Sequence, residues 1–261
     1  MTPNEEWGLA GKVAIVTGGG AAGDGIGNGR AACILLARAG AHVLVVDRDL
    51  TLARRTVEMI ADEGGSAAAA SYDVTLSEQC AAMVKDAVSR WGRLDCLDNN
   101  VGIGSKGTVV EETQENWARV MHVNVDTMFL ACKHAIPEMV RTAGGGSIVN
   151  ISSISALRPR GLTAYSVSKG AVIALTKSMG AELAPDKIRV NAINPVMGET
   201  GLLATLLGED TPERRSKVVG TIPLGRLSLP SDIANAAVFF ADPASAFITG
   251  VCMEVDGGRC I

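Results

Sequence analysis

Residues 17–27 read TGGGAAGDGIG and lie between a short apolar run, residues 12–17, and a segment with helical periodicity, residues 27–39. Glycines at such a turn let the backbone bend sharply and approach a pyrophosphate closely, while the N–H groups that open the helix attract its negative charge. Asp47 closes the next apolar run, residues 42–46, and lies 20 positions after Gly27. A strand, a glycine turn, a helix and an acid at this spacing predict a dinucleotide-binding unit rather than a solvated loop.

The carboxylate of Asp47 indicates which dinucleotide the chain prefers. At the end of a strand it can accept hydrogen bonds from the hydroxyls of the adenosine ribose, and it repels a 2′-phosphate. We therefore expect NAD rather than NADP as the cofactor. Arg48 leaves NADP open, because a guanidinium group beside the ribose could bind that phosphate.

Short apolar runs alternate with helical periodicity along the whole chain, which is typical of a parallel sheet covered on both faces. The predicted strands are residues 12–17, 42–46, 67–72, 94–97, 147–151, 188–193 and 251–255. The predicted helices are residues 27–39, 50–63, 76–91, 114–141, 163–183 and 230–240. We expect the fourth helix to break at Pro137, since proline disrupts a helix interior. The predicted fold is α/β: a single Rossmann-type, doubly wound parallel sheet with helices on both faces.

No composition shift, linker or repeat divides the chain, so residues 1–261 are predicted to form a single dinucleotide-binding and catalytic domain. Residues 196–223 mix Thr, Gly and Pro between short helical pieces, and we expect them to form a substrate flap. Four leucines in this flap have helical spacing, which fits either an apolar substrate pocket or ordinary packing. They are Leu202, Leu203, Leu206 and Leu207.

The composition excludes several classes of function. Among 261 residues, 24 are Lys or Arg and 28 are Asp or Glu, and a net charge of −4 gives no basic footprint for nucleic acid or an anionic membrane. No apolar run reaches the roughly 18 residues of a membrane helix, and we see no signal peptide. The six cysteines include no CxxC pair, so we expect no disulfide framework, no metal site and a cytoplasmic location.

Tyr165 and Lys169 lie four residues apart in the predicted helix 163–183, so their side chains share one face. A free phenol has a pKa of about 10 and is a poor base at neutral pH. A neighbouring ammonium group favours the phenolate, so we expect Lys169 to lower the pKa of Tyr165 and to make it an acid/base suited to an alcohol. Such a Tyr–Lys pair is common on solvated helix faces, so it indicates catalysis only together with the other motifs.

Taken together, these motifs resemble those of the short-chain dehydrogenase/reductase family over nearly the whole chain. The resemblance implies hydride transfer between a nicotinamide and a secondary alcohol or its ketone, with Tyr165 moving the proton. The matched positions are residues 17–27, Asp47, Asp73, Val74, Asn99, Asn100, Val101, Gly102, Asn124, Ile151, Ser152, Ser153, Tyr165, Lys169, Asn194, Pro195 and Thr200.

The resemblance also implies roles for single residues. Tyr165 is implied to be the catalytic acid/base, Lys169 to lower its pKa and bind the nicotinamide ribose, and Ser153 to orient the substrate oxygen. Asn124 is implied to hold a water that links Lys169 to solvent. The implied cofactor-binding residues are Gly18, Gly20, Gly25, Ile26, Gly27, Asp47, Asp73, Val74, Asn100, Tyr165, Lys169, Val196 and Thr200.

The sequence departs from the family pattern in four places. Six residues, 19–24, separate the Thr-Gly pair from the Gly-x-Gly at residues 25–27, where the family has three. Val101 and Val196 stand where the family usually has alanine and glycine. Ser152 lies at the family's usual 13 positions before Tyr165, and Ser153 lies 12 before it. We prefer Ser153, because counting along the preceding strand keeps the strand register.

We therefore expect an NAD-dependent oxidoreductase that acts on an apolar or cyclic secondary alcohol or ketone and assembles as a homotetramer. The alternative enzyme is an NADPH-dependent 3-oxoacyl thioester reductase, and the alternative of another class is a non-catalytic nucleotide-sensing protein. Arg158 and Arg160, in the loop after Ser153, fit either contact with an anionic substrate or ordinary solvated charges. The apolar stretch at residues 247–255 is expected to contact a partner subunit.

Overall fold

A computed structural model describes residues 8–21, 25–201, 203 and 210–261 of the chain. Within these residues, seven parallel strands form one sheet in the order β3-β2-β1-β4-β5-β6-β7. The order reverses between β1 and β4, which opens a crevice at the carboxyl ends of the strands. The strands are β1 Val13–Thr17, β2 His42–Asp47, β3 Ser66–Ser71, β4 Cys96–Asn99, β5 Gly146–Ile151, β6 Ile188–Pro195 and β7 Cys252–Val255.

Helices cover both faces of this sheet, so the predicted doubly wound α/β fold is confirmed. The described helices are α1 Asn28–Arg38, α2 Leu50–Asp62, α3 Ser77–Trp91, α4 Gln114–Met121, α5 Thr127–Ala143, α6 Thr163–Glu182, α7 Pro212–Val219 and α8 Pro230–Ala241. α1, α2 and α8 pack on one face, and α3, α5 and α6 pack on the other. None of these helices is both long and apolar enough to cross a lipid bilayer.

The fourth strand begins and ends two residues later than the predicted strand, residues 94–97. The prediction followed apolar side chains and stopped at Leu97, whereas β4 continues through Asp98 and Asn99, both of which are buried. Asn99 Nδ2 donates to Asn150 Oδ1 at 2.9 Å and so joins β4 to β5. A strand that ends in buried, hydrogen-bonded polar groups is missed by a search for apolar runs.

The predicted helix break at Pro137 is wrong. α5 continues through Pro137, because the missing N–H removes a single hydrogen bond while Ala135 and Met139 on either side are buried in the core. The regular helix is interrupted earlier, by a π-helical turn at His122–Asp126. Such turns often lie at functional sites, and this one carries Asn124 into the interior.

The segment after β6 crosses the carboxyl end of the sheet. Gly198 forms an isolated parallel bridge with Ser228, and Leu203 is buried against a small cluster that includes Val196. Among the leucines of the predicted flap, Leu202, Leu206 and Leu207 lie outside the described residues.

Asp98 is a fully buried carboxyl group in the centre of the sheet. Its Oδ1 accepts a hydrogen bond from Asn100 Nδ2 at 2.6 Å, and its Oδ2 has no hydrogen-bond partner within the described chain. Burial raises the pKa of Asp98 to about 8. The folded protein therefore holds this proton at neutral pH, whereas an unfolded chain releases it near pH 4.

This difference predicts how stability depends on pH. Between the unfolded and folded pKa values of Asp98, only the folded protein keeps the proton, so each rise of one pH unit removes about 1.4 kcal/mol of stability. Asp98→Asn abolishes that titration and keeps an oxygen for Asn100. The stability advantage of the variant should therefore grow by roughly 4 kcal/mol between pH 5 and pH 8, measured by urea unfolding.

Asp95→Asn is the matched control for this measurement. Burial raises the pKa of Asp95, but hydrogen bonds from Arg93 and from the Val13 N–H lower it overall. Asp95 is therefore ionised in both the folded and the unfolded protein above about pH 5, and the stability change caused by Asp95→Asn should be the same at pH 5 and at pH 8. A stability difference for Asp98→Asn that stays constant over this range would contradict the assigned pKa.

Candidate active site

A cleft of about 860 Å³ runs along the carboxyl ends of the strands and brings most of the predicted site residues together. The predicted residues that line it are Gly18, Gly20, Gly27, Asp47, Asp73, Val74, Asn100, Ser153, Tyr165, Lys169, Val196 and Thr200. Gly25 and Ile26 instead line a smaller cavity of about 310 Å³, which Gly27 and Thr200 also border. Asn124 is fully buried and does not line the cleft.

The glycine turn presents backbone rather than side chains to the cleft. α1 begins at Asn28 with Gly27 as its N-cap, and glycine offers no side chain to cap the first N–H groups. A Cβ at Gly20 would lie 2.6 Å from Asp47 Oδ2, so this position accepts no larger residue without movement. An uncapped helix N-terminus beside side-chain-free backbone fits the phosphates of a dinucleotide. Residues 22–24 of the turn lie outside the described residues.

The close contact between α1 and β1 falls at Gly29, two residues later than the Gly-x-Gly predicted at residues 25–27. A Cβ at Gly27 would meet Ala21 Cβ at 3.6 Å, which is an ordinary contact. A Cβ at Gly29 would overlap the carbonyl oxygen of Gly18 and lie 2.9 Å from its carbonyl carbon. Gly29 is therefore the glycine that permits close helix–strand packing, and the lengthened turn concealed this in the sequence.

A buried arginine that no sequence motif marked holds the glycine turn in place through hydrogen bonds. Arg30 is fully buried and donates to the carbonyl oxygens of Gly25 at 2.5 Å and Ala21 at 3.2 Å. Its Nε donates to Thr56 Oγ1 at 2.9 Å, and that hydroxyl donates to the Gly19 carbonyl at 2.8 Å. A buried charge is tolerated only where hydrogen bonds satisfy it. An arginine on the apolar face of a predicted helix could therefore have indicated a buried, hydrogen-bonded role for Arg30.

Two carboxylates line the cleft beside β2 and β3. Asp47 Oδ2 accepts a hydrogen bond from Gly20 N at 3.1 Å, which fixes the carboxylate against the glycine turn. Asp73 Oδ1 accepts from the N–H and the hydroxyl of Thr75, at 2.9 and 2.6 Å, and the hydroxyl bond is the main reason that the pKa of Asp73 is lowered. Arg48 lines the same part of the cleft.

The remaining predicted cofactor contacts follow β4 and β6. Asn100 N donates to Thr17 Oγ1 at 3.2 Å, which holds the chain after β4 against the end of β1. Val196 is buried, and its N–H donates to the Val255 carbonyl at 3.2 Å. Thr200 borders both cavities, so it lies where the segment after β6 meets the glycine turn.

Asn124 connects three elements around the cleft. Its Oδ1 accepts from Ile103 N at 2.7 Å, and its Nδ2 donates to the Ile103 carbonyl and to Ser168 Oγ, both at 2.9 Å. A Cβ at Gly102 would lie 3.2 Å from Lys169 Nζ and 3.4 Å from Asn124 Oδ1. Glycine at this position therefore leaves room for both the ammonium group and the carboxamide beside the backbone.

Ser153, Tyr165 and Lys169 converge where β5 ends and α6 passes. The Ser153 hydroxyl lies near enough to the phenol of Tyr165 to lower its pKa, whereas Ser152 Oγ donates to the Lys169 carbonyl at 2.8 Å. The Ser153 hydroxyl is thus the one that faces the phenol. Lys169 Nζ donates to the Ile151 carbonyl at 2.7 Å and lies 5.8 Å from the centre of the Tyr165 ring.

Burial dominates the pKa of both ionisable side chains. It raises the pKa of Tyr165, and the Ser153 hydroxyl lowers that pKa only in part. The lowered pKa that the sequence predicted for Tyr165 is therefore wrong, because desolvation of the phenolate outweighs the other contributions. Burial also lowers the pKa of Lys169 to about 8. At neutral pH the phenol keeps its proton, and the ammonium group is close to losing one.

A further part of the cleft is lined by arginines. Arg158 and Arg160 lie there as the loop after Ser153 suggested, and Arg259 joins them from the segment after β7. Arg259 carries no signal in the sequence, because about 100 residues separate it from the other two and no local pattern links them.

A family model described as enoyl-(acyl carrier protein) reductase matches residues 19–259. The chain is 39% identical over 253 residues to 4-formylbenzenesulfonate dehydrogenase of Comamonas testosteroni, covering 96% of this chain and 98% of that one.

Two solved structures share the fold and the sequence. A 3-ketoacyl-(acyl-carrier-protein) reductase from Brucella melitensis, complexed with NADH, is 39% identical with a TM-score of 0.87, covering 97% of this chain and 100% of that one. A 7α-hydroxysteroid dehydrogenase complexed with NADH and 7-oxo glycochenodeoxycholic acid is 34% identical with a TM-score of 0.90, covering 99% and 97%. Both likenesses span the sheet and the cleft together.

The close approach at Gly29 predicts the effect of adding one methyl group. Gly29→Ala should destabilise the protein by about 1–3 kcal/mol, because the new Cβ forces α1 away from β1. Gly170→Ala is the matched control, since Gly170 is also helical and nothing lies within 4 Å of its Cβ position. The control should gain roughly 0.5–1 kcal/mol from helix propensity. Urea unfolding measures both, and equal effects would refute the packing role of Gly29.

Proposed function

The chain belongs to the short-chain dehydrogenase/reductase family, and from that premise we propose that it is an NAD-dependent oxidoreductase acting on a secondary alcohol or its ketone. The observation that carries the proposal is the convergence of Ser153, Tyr165 and Lys169 on the cleft that the glycine turn and Asp47 also line. One cleft thereby combines a candidate acid/base with a backbone cradle for phosphates.

The proposed chemistry divides between the cofactor and the chain. When bound, the nicotinamide supplies or accepts the hydride. In reduction, the phenol of Tyr165, which is neutral because burial raises its pKa, donates a proton to the carbonyl oxygen, and Ser153 hydrogen-bonds that oxygen. In oxidation the phenol must first ionise, and the nearby ammonium group of Lys169 stabilises the phenolate.

Lys169 also provides a route for the proton. Because its pKa is about 8, its ammonium group exchanges a proton readily near neutral pH. We assign to Asn124 the holding of a water that links Lys169 to solvent. The proximity of Asn124 Oδ1 and Lys169 Nζ, which both lie beside Gly102, supports this role.

NAD is the proposed cofactor, held by the glycine turn, Asp47, Asp73, Val74, Asn100, Lys169, Val196 and Thr200. The carboxylate of Asp47 supports NAD, because it is fixed by Gly20 N at the end of β2, where a 2′-phosphate would be repelled. The NADH complexes of two relatives are consistent with this preference. Arg48, which lines the same region, keeps NADP as the alternative.

The proposed substrate has an apolar or cyclic body. Leu162, Met197 and Leu203 line the cleft with Tyr165, which gives the substrate a partly apolar wall. The solved structure of the 7α-hydroxysteroid dehydrogenase, with its bound oxo-steroid, supports a cyclic substrate by analogy. We propose that residues 196–223 act as a flap over this wall within a single domain.

Two further properties belong to this proposal. The side chain of Phe247 is fully exposed and that of Val251 is partly exposed, which supports burial of this surface in a homotetramer. All six cysteines are free, and four are buried, which is consistent with a reducing compartment such as the cytoplasm.

A 3-oxoacyl thioester reductase is the second candidate. The description of the matching family model and the 3-ketoacyl reductase from Brucella melitensis favour it. A nucleotide sensor without chemistry is the third, and the convergence of Ser153, Tyr165 and Lys169 argues against it.

The phenol of Tyr165 is the most direct test of the proposal. Tyr165→Phe should lower kcat by about 10²–10⁴-fold, since it removes the proton donor, while NADH affinity measured by fluorescence stays within a few fold. Tyr72→Phe is the control, because Tyr72 is the only other tyrosine of the sequence and also lines the cleft, so this variant reports the effect of losing a different hydroxyl there. Retained turnover of every alcohol and ketone by Tyr165→Phe would reject the assigned acid/base.

Asp47 provides the test of cofactor preference. The unmodified protein should show at least a roughly tenfold higher kcat/KM with NAD than with NADP, and Asp47→Ala should narrow that ratio. Arg48→Ala tests NADP as the alternative cofactor. If the Arg48 guanidinium group binds the 2′-phosphate of NADP, this variant should have lower activity with NADP. A strong NADP preference in the unmodified protein would overturn the choice of NAD.

A further inference from the structure

Three arginines line the cleft that also holds the candidate acid/base. Arg158 and Arg160 follow the short helical turn Ile154–Ala156, which comes directly after Ser153, and Arg259 follows β7. All three line the same cleft as Ser153 and Tyr165. Arg158 Nη1 also donates a hydrogen bond to the backbone carbonyl of Arg259, and this bond connects the loop after Ser153 to the segment after β7.

The three guanidinium groups lie close enough to repel one another. The pKa of Arg259 is lowered by burial and by the charges of Arg160 and Arg158, while Cys260 and Asp256 raise it only in part. Like charges held together raise the free energy of the folded protein, and a bound anion relieves that repulsion.

No carboxylate of the described chain forms an ion pair within 4.0 Å with these three side chains, and the charge of Asp256 acts on Arg259 from farther away. The chain as a whole has a net charge of −4, so three arginines without a close ion-pair partner do not follow from its composition. Many of its other arginines do form ion pairs, and examples are Arg38 with Glu63, Arg90 with Asp86, Arg141 with Glu138 and Arg226 with Asp232.

The position of the cluster separates it from the phosphate cradle. The glycine turn follows β1, Arg158 and Arg160 follow β5, two strands away in the sheet, and Arg259 follows β7, four strands away. With about 4.8 Å between neighbouring strands, β5 and β7 lie roughly 10 and 19 Å from β1. The cofactor's phosphates at the turn therefore leave the arginine cluster available to another anion.

Resting on the proposed oxidoreductase function, we propose that the substrate is an organic acid whose carboxylate or sulfonate is bound by Arg158, Arg160 and Arg259. Its carbinol or carbonyl carbon lies at Tyr165, and its apolar body lies along Leu162 and Leu203. Planar guanidinium groups suit such an oxyanion, because each can donate two parallel hydrogen bonds.

Binding tests this inference without turnover. Tyr165→Phe protein with NADH is titrated by calorimetry with 4-acetylbenzoate, 4-acetylbenzenesulfonate and the neutral 4-acetylbenzamide. At least one acid should bind about tenfold or more tightly than the amide. Arg160→Gln and Arg259→Gln, added singly, should remove that preference, and Arg160→Lys should restore part of it. Arg54→Gln, an exposed arginine that lines neither cavity, should leave it unchanged.

Kinetic measurements with the same ketones distinguish a failure of the proposed anion site from a failure of the proposed oxidoreductase function. In protein with Tyr165 intact, the arginine variants should raise KM for the acid and leave kcat/KM for the amide within about twofold. Turnover of the amide without preference for either acid, or no measurable binding of any acid, overturns the inference and leaves the oxidoreductase function standing. Arginine-dependent binding of an acid without reduction of any ketone supports the anion site and counts against the oxidoreductase.

Discussion

The hydrogen bond from Lys169 Nζ to the Ile151 carbonyl is the contact on which the arrangement of the site depends. It is 2.7 Å long and buried, and it ties α6 to the end of β5. Ser153 lies two residues beyond Ile151, and Tyr165 lies one helical turn before Lys169. The same contact therefore sets the phenol against the serine hydroxyl. Desolvation makes this placement unfavourable for the ammonium group, whose pKa falls to about 8, so packing of α6 on the sheet must offset it.

The alternation of apolar runs and helical segments was enough to predict the sheet and its two helical layers, because the five inner strands bury side chains on both faces. Local pattern failed where long-range contacts decide the structure. Asn99 extends β4 because its amide bonds Asn150 across the sheet. Pro137 remains inside α5 because core packing on both sides outweighs one lost hydrogen bond.

For the site too, local sequence patterns predicted some features, and long-range contacts determine the others. Tyr165 and Lys169 share one helix, and helical geometry predicted that they are neighbours. The direction in which the pKa of Tyr165 shifts was not predictable from the sequence, because the burial of the phenol depends on every segment packed around it. Gly29 and Arg30 escaped notice because the lengthened turn offers more than one Gly-x-Gly. Arg259 meets Arg158 only through folding.

The π turn at His122–Asp126 has a consequence for which mutations the chain can accept. A π turn is an α-helix with one residue inserted, and each residue rotates the helix by about 100°. Deleting a single residue there would restore regular winding but swing the carboxamide of Asn124 away from Ile103 and Ser168. The length of this segment is therefore as important to the position of Asn124 as the identity of its side chains.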